Sequence, residues 1–225
     1  MPIIRTTKSA LRRLHRTAVF SIAITQARRY LAGNGPLPKG LSDRLMYGWG
    51  NEGWSAKPPL IDYLLSELRG FHGTLLECGS GLSTVLFGIR AAQVGSRVVS
   101  LEHDKDWYAL LGKRLRRLRL DDSGLTFARI VSNGDFDWYD EHEVISTGAP
   151  FNFVLCDGPP SATRGGRYGL LPRVFSRMAT GALVVVDDSQ RAGEAQIINR
   201  WLNEYSGKLA VESVHDTFTT LRKTG

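Results

Sequence analysis

Four apolar runs in this chain end in carboxylates, and those endings are where its chemistry concentrates. Leu75-Leu76-Glu77 opens into Cys78-Gly79-Ser80-Gly81, with Ser83 and Thr84 at the start of a helical segment; Val98-Val99-Ser100-Leu101 ends in Glu102, 25 residues after Glu77. Further on, Val154-Leu155-Cys156 ends in Asp157, and Val184-Val185-Val186 ends in Asp187-Asp188. A glycine turn lets backbone approach a nucleotide-type ligand, and an acid closing the next strand can accept both hydroxyls of a ribose. Asp157 beside Asp187 and Asp188 gathers negative charge that needs a cation, a proton or a positively charged ligand. Oxygen-only ligands suit Mg²⁺ or Mn²⁺, which makes these three aspartates a candidate metal set. Without a metal, Asp157 or Asp188 is the candidate catalytic base for an alcohol.

The turn discriminates among cofactors. A dinucleotide site wants a third glycine at the helix start, where this chain has Thr84, and Glu77 would repel a diphosphate. A ligand with a cationic amino group suits Glu77 better. The segment from Glu77 to Thr84 resembles motif I of the class I S-adenosylmethionine-dependent methyltransferases. The resemblance implies S-adenosyl-L-methionine as cofactor, with Glu77 at its amino end, Gly79, Ser80, Gly81, Ser83 and Thr84 beneath it, and Glu102 on the ribose. It also implies His103 against the adenine and Asp157 beside the cofactor. Asp135, in Asn133-Gly134-Asp135, either reaches the adenine amino group or is a turn residue. Catechol-type members resemble the Asp157, Asp187 and Asp188 pattern, although Gly158-Pro159-Pro160 departs from theirs. Glu-His-Asp-x-x-Trp and Asp-Gly-Pro-Pro together resemble members that act on sugars and polysaccharides.

These residues must be positioned by alternating strands and helices. Strands are expected at Thr74–Glu77, Arg97–Leu101, Leu125–Val131, Phe151–Cys156 and Ala182–Asp187, with helices between them. Asp104 is placed to cap the helix that follows Glu102. The short link His215-Asp216-Thr217 joins two closing strands, Leu209–Val214 and Phe218–Arg222, as a hairpin. The expected fold is α/β: a Rossmann-like, doubly wound, mostly parallel seven-stranded sheet with an antiparallel C-terminal strand.

The charge is segregated. Residues 1–42 hold eight Lys and Arg and no acid, whereas the remainder holds 21 basic and 22 acidic residues. The expected organisation is a basic extension and linker over 1–42 followed by a cofactor-binding domain over 43–225. A basic arm suits an anionic membrane surface, a nucleic acid or a partner. Two cysteines provide no disulfide framework or zinc spacing, which fits a cytoplasmic chain. Arg164, Arg167 and Arg191 are candidates to pair with an anionic group on a substrate, and Trp54 to wall it.

The function expected is methyl transfer to a hydroxyl of a glycan or small molecule. Two alternatives are an RNA methyltransferase that uses the basic arm and a non-catalytic scaffold. Base methylation lacks an aromatic after the two prolines, where Ser161 stands.

Overall fold

Valine and leucine runs too short for helices become the central strands of a sheet covered on both faces, as seen in a computed structural model that describes residues 3–50, 56–141, 145–146 and 148–225. The chain divides into two compact units after Phe71. The division expected after residue 42 falls inside the first unit.

The first unit contains α1 (Ile3–Leu31), α2 (Leu41–Trp49) and α3 (Pro58–Gly70). Prolines in the first turn start α3, where the missing N–H has no intrahelical role. Ala23, Ile24, Ala27 and Leu31 of α1 are buried, as are Leu41 and Leu45 of α2. The two helices touch at Gly48, where an added Cβ would lie 2.5 Å from Phe20 Cβ.

The second unit runs β1 (Thr74–Cys78), α4 (Leu82–Val94), β2 (Val98–Glu102), α5 (Lys105–Arg117) and β3 (Leu125–Phe127). It continues with β4 (Ile130–Asn133), β5 (Phe136–Tyr139), β6 (Phe151–Cys156) and a short α6 (Leu170–Val174). β7 (Met178–Asp187), α7 (Ala192–Glu204), β8 (Leu209–Val214) and β9 (Phe218–Lys223) complete it. The sheet order is β3-β2-β1-β6-β7-β9-β8, and β9 runs antiparallel to both its neighbours. Strand order reverses between β1 and β6, so the crevice beyond their carboxyl ends is the natural ligand site of such a sheet.

The expected strand over Leu125–Val131 is divided in two. β3 ends at Phe127, and β4 leaves the main sheet to pair with β5 as a separate antiparallel hairpin. Its Trp138 and Tyr139 are fully buried, and that burial stabilises a departure which strand propensity alone does not indicate. β7 also begins at Met178, four residues before the expected Ala182.

Candidate active site

The glycine turn is built by close approach. Gly79 has φ +87°, and an added Cβ would lie 3.0 Å from backbone atoms of Asp157 and Gly158. Its N–H donates to Leu101 O at 3.0 Å, while Asp157 N–H donates to Cys78 O at 2.9 Å. Three strand ends, β1, β2 and β6, are therefore tied together at one glycine. A side chain there would combine left-handed strain with a steric clash.

Glu77 and Glu102 flank this turn in opposite electrostatic states. Glu77 is fully buried; its Oε2 accepts from Thr84 Oγ1 at 2.6 Å and Ser100 Oγ at 2.7 Å. Desolvation raises its pKa to about 7, opposed in part by the hydroxyls of Ser83, Thr84 and Ser100. Its Oε1 is buried and makes no hydrogen bond among the described residues. Glu102 is the reverse case. Burial pushes its pKa upward, but donors at His103, Ser80 and Asp104 prevail and hold it below the ordinary value. Ser80 Oγ and N donate to Oε2 at 2.6 and 3.2 Å, and Asp104 N donates to Oε1 at 2.8 Å. His103 Nδ1 lies 3.2 Å from Oε1, and the same carboxylate raises the imidazole pKa. Asp104 caps α5 through the N–H groups of Asp106 and Trp107, as its position predicts. Trp107 Nε1 donates to Ser80 O at 2.9 Å, which fixes the turn from the other side.

The second cluster lies at the ends of β6 and β7. Asp157, Asp187 and Asp188 offer carboxylate oxygens within 4.8 Å of one another. Desolvation and the neighbouring carboxylates raise Asp157 well above the usual range, and Asp187 is raised for the same reasons. Asp188 has a left-handed backbone, φ 54°, which turns the chain directly after β7. Arg191 Nη2 pairs with Asp188 Oδ2 at 2.9 Å and remains half exposed.

Arg167 belongs inside this cluster and is not a substrate-facing loop residue. Its side chain is 4% exposed, and Nη2 lies 3.3 Å from Asp157 Oδ1 and 3.6 Å from Asp188 Oδ2. Nη1 donates to Cys156 O at 3.3 Å and to Asp187 O. The three aspartates have the donor chemistry of a hard-cation site, but two of them already face this guanidinium. With that guanidinium on them, the set does not stand open to a divalent ion.

Two other candidates are placed elsewhere. Arg164 is bound to the hairpin through Asp137, Gly134 O and Ser132 Oγ, so its donors are committed locally. Asp135 is exposed at the tip of that hairpin, where its charge acts on Arg164 and Arg200. Trp54 lies outside the described residues. Ser100 was not among the sequence candidates. Its signal was a hydroxyl interrupting the apolar run Val98–Leu101, now seen serving Glu77. Tyr139 is buried, its hydroxyl makes no hydrogen bond among the described residues, and any Cβ at Gly158 would collide with it.

The loop after β6 and the first half of α7 line an open cleft of about 390 Å³, with Ser161, Thr163, Tyr168, Gln196, Ile197 and Arg200 among its residues.

No protein-family model and no curated protein matches the chain. Solved structures do. An O-methyltransferase from Bacillus cereus in complex with SAH is similar with TM-score 0.56 at 16% identity, over 76% of this chain and 84% of that one. SAH-bound methyltransferase PaMTH1 from Podospora anserina aligns with TM-score 0.52 at 11% identity, over 90% of this chain and 88% of its own. Precorrin-6y C5,15-methyltransferase from Geobacter metallireducens aligns with TM-score 0.54 at 12% identity, covering 77% and 92%. The seven-stranded sheet of this chain, whose strand order reverses between β1 and β6, has the class I S-adenosylmethionine-dependent methyltransferase fold.

Proposed function

We propose that the chain transfers a methyl group from S-adenosylmethionine to a hydroxyl of a glycan or other small hydroxylated molecule. The observation that carries this reading is the pairing of Glu77 and Glu102 across the Gly79 turn, one carboxyl poised near neutrality and the other firmly ionised. A raised Glu77 with a free Oε1 suits a cationic amino group, whose charge would return it to the carboxylate form. Glu102 already accepts a hydroxyl, that of Ser80, and suits the paired hydroxyls of a ribose. Gly81, with nothing within 4 Å of where a Cβ would stand, leaves bare backbone for a ligand to lie on. His103, partly exposed next to Glu102, supports a contact with the adenine. The cofactor supplies an electrophilic methyl on a cationic sulfur.

The remaining chemistry belongs to the chain. Asp157 stands at the β6 end, beside the turn that would hold the cofactor, and accepts the proton of the acceptor hydroxyl as its oxygen attacks. Asp188 is the second candidate for that proton.

Asp157→Asn preserves shape and removes the charge. It is expected to lower methyl transfer by about 10²–10⁴ while leaving cofactor affinity within a few-fold. The assay is mass spectrometry of acceptor pools incubated with isotopically labelled cofactor, alongside calorimetry with S-adenosylhomocysteine. Labelled RNA in place of a hydroxylated small molecule would overturn the acceptor class. Absence of any response to S-adenosylhomocysteine would overturn the cofactor.

A further inference from the structure

We infer that Arg167 is the built-in cation of the aspartate cluster, occupying with its guanidinium the place where this arrangement of carboxylates would otherwise gather a divalent ion. Three observations converge on it. The guanidinium is almost fully buried although its residue belongs to a Gly-rich loop, Arg164-Gly165-Gly166-Arg167. Its two terminal nitrogens reach both strand ends: Cys156 O at 3.3 Å and Asp157 O at 3.2 Å on β6, and Asp187 O on β7. Nη2 then faces Asp157 Oδ1 and Asp188 Oδ2 together, at 3.3 and 3.6 Å.

The planar fork of an arginine explains this multiplicity. Its donors leave in fixed directions and can serve carbonyls and carboxylates at once, which a lysine ammonium does not match. An ion bound by the same carboxylate oxygens would have to share them with a guanidinium that repels it. Arg191 shares the same Asp188 Oδ2 with Arg167, at 2.9 and 3.6 Å, so two positive charges face three carboxyl groups. Arg167 is thus a positioning residue. It holds the β6 and β7 ends in register, orients the Asp157 carboxyl and leaves that carboxyl free of metal coordination.

The inference rests on the methyl-transfer reading only for its consequence in turnover; cation occupancy is measured without substrate or cofactor. The probe is Mn²⁺ alone, titrated into the full-length chain and followed by electron paramagnetic resonance. Wild type is expected to show no site that depends on Asp157, up to about 1 mM, the weak end of the protein range for hard divalent ions. Arg167→Gln removes the charge and keeps a side chain of comparable polarity. It is expected to create a Mn²⁺ site tighter by about 10²-fold or more, since a unit charge a few ångströms away is removed. Asp157→Asn added to that variant should abolish the gained site. A wild-type Mn²⁺ site that disappears in Asp157→Asn would overturn the inference, and this comparison holds even if Arg167→Gln fails to fold. A folded Arg167→Gln that gains no site would also overturn it, because Arg167 would then not be standing in a cation's place. Neither result bears on S-adenosylhomocysteine binding, measured separately, so the methyl-transfer reading fails or survives independently.

Discussion

A carboxyl group buried without a cation resists ionisation, and Glu77 shows the consequence. Its pKa of about 7 lies above the ordinary 4.5, so the folded chain holds a proton that the unfolded chain releases between these values. The Glu77 contribution to stability is therefore complete below pH 4.5 and is lost as pH rises towards 7, by about 3 kcal/mol at the usual 1.4 kcal/mol per pKa unit. Urea unfolding at pH 5 and pH 8 should show a smaller decline in Glu77→Gln than in wild type; equal declines would place the proton elsewhere. Glu102 has the opposite sign, its lowered pKa contributing stability above the unfolded value that is lost as pH falls through the folded one. Glu102→Ala should weaken S-adenosylhomocysteine binding by about 1–3 kcal/mol in calorimetry through loss of charge-assisted hydrogen bonds. Unchanged affinity would put Glu102 outside the pocket. Ser100 and Arg167 show why single residues were read incompletely from sequence. Ser100 looks like a polar interruption of a strand and Arg167 like a loop cation until burial and distance are known.

Among the elements, two glycines hold contacts that no other residue can make. Gly79→Ala would place a Cβ 3.0 Å from the Asp157 backbone with φ at +87°. We expect a loss of about 2 kcal/mol or more in thermal or urea unfolding, together with weaker cofactor binding. Gly48→Ala decides between two opposing effects. Alanine improves helix propensity by about 1 kcal/mol, whereas overpacking costs about 1–3 kcal/mol. The clash prevails because the nearest atoms include Phe20 Cα at 2.8 Å and Phe20 N at 2.9 Å, backbone that a rotamer change cannot move. A melting temperature raised by Gly48→Ala would show that α1 and α2 adjust freely.

For the molecule as a whole, all of the net charge of +7 resides in residues 1–42, since the rest sums to −1. No helix among the described residues is long and apolar enough to cross a membrane. Yet α1 exposes Leu11, Leu14 and Ile22 at 69%, 70% and 58% on one side, within this acid-free basic segment. Basic charge joined to an exposed apolar stripe suits an anionic lipid surface. Full-length chain is expected to sediment with phosphatidylserine-containing vesicles at low salt, and the Leu11→Ser, Leu14→Ser double variant to do so less. Sedimentation insensitive to both salt and substitution would exclude this role for the arm.

The sequence by itself determined the alternation of strands and helices, the glycine turn after Glu77, the acids that end the strands, the Asp104 cap and the closing hairpin. These are local: a run of Val and Leu, a glycine pair or a capping aspartate acts within a few residues of itself. Tertiary structure alone decided that β4 and β5 leave the main sheet, because burial of Trp138 and Tyr139 is a long-range effect. It decided that Arg164 serves the hairpin. It also decided that Arg167 turns inward to the aspartates. A guanidinium's partners depend on which strand ends lie within a few ångströms, and that is set by the sheet order β1-β6-β7, which the spacing of residues along the chain does not encode.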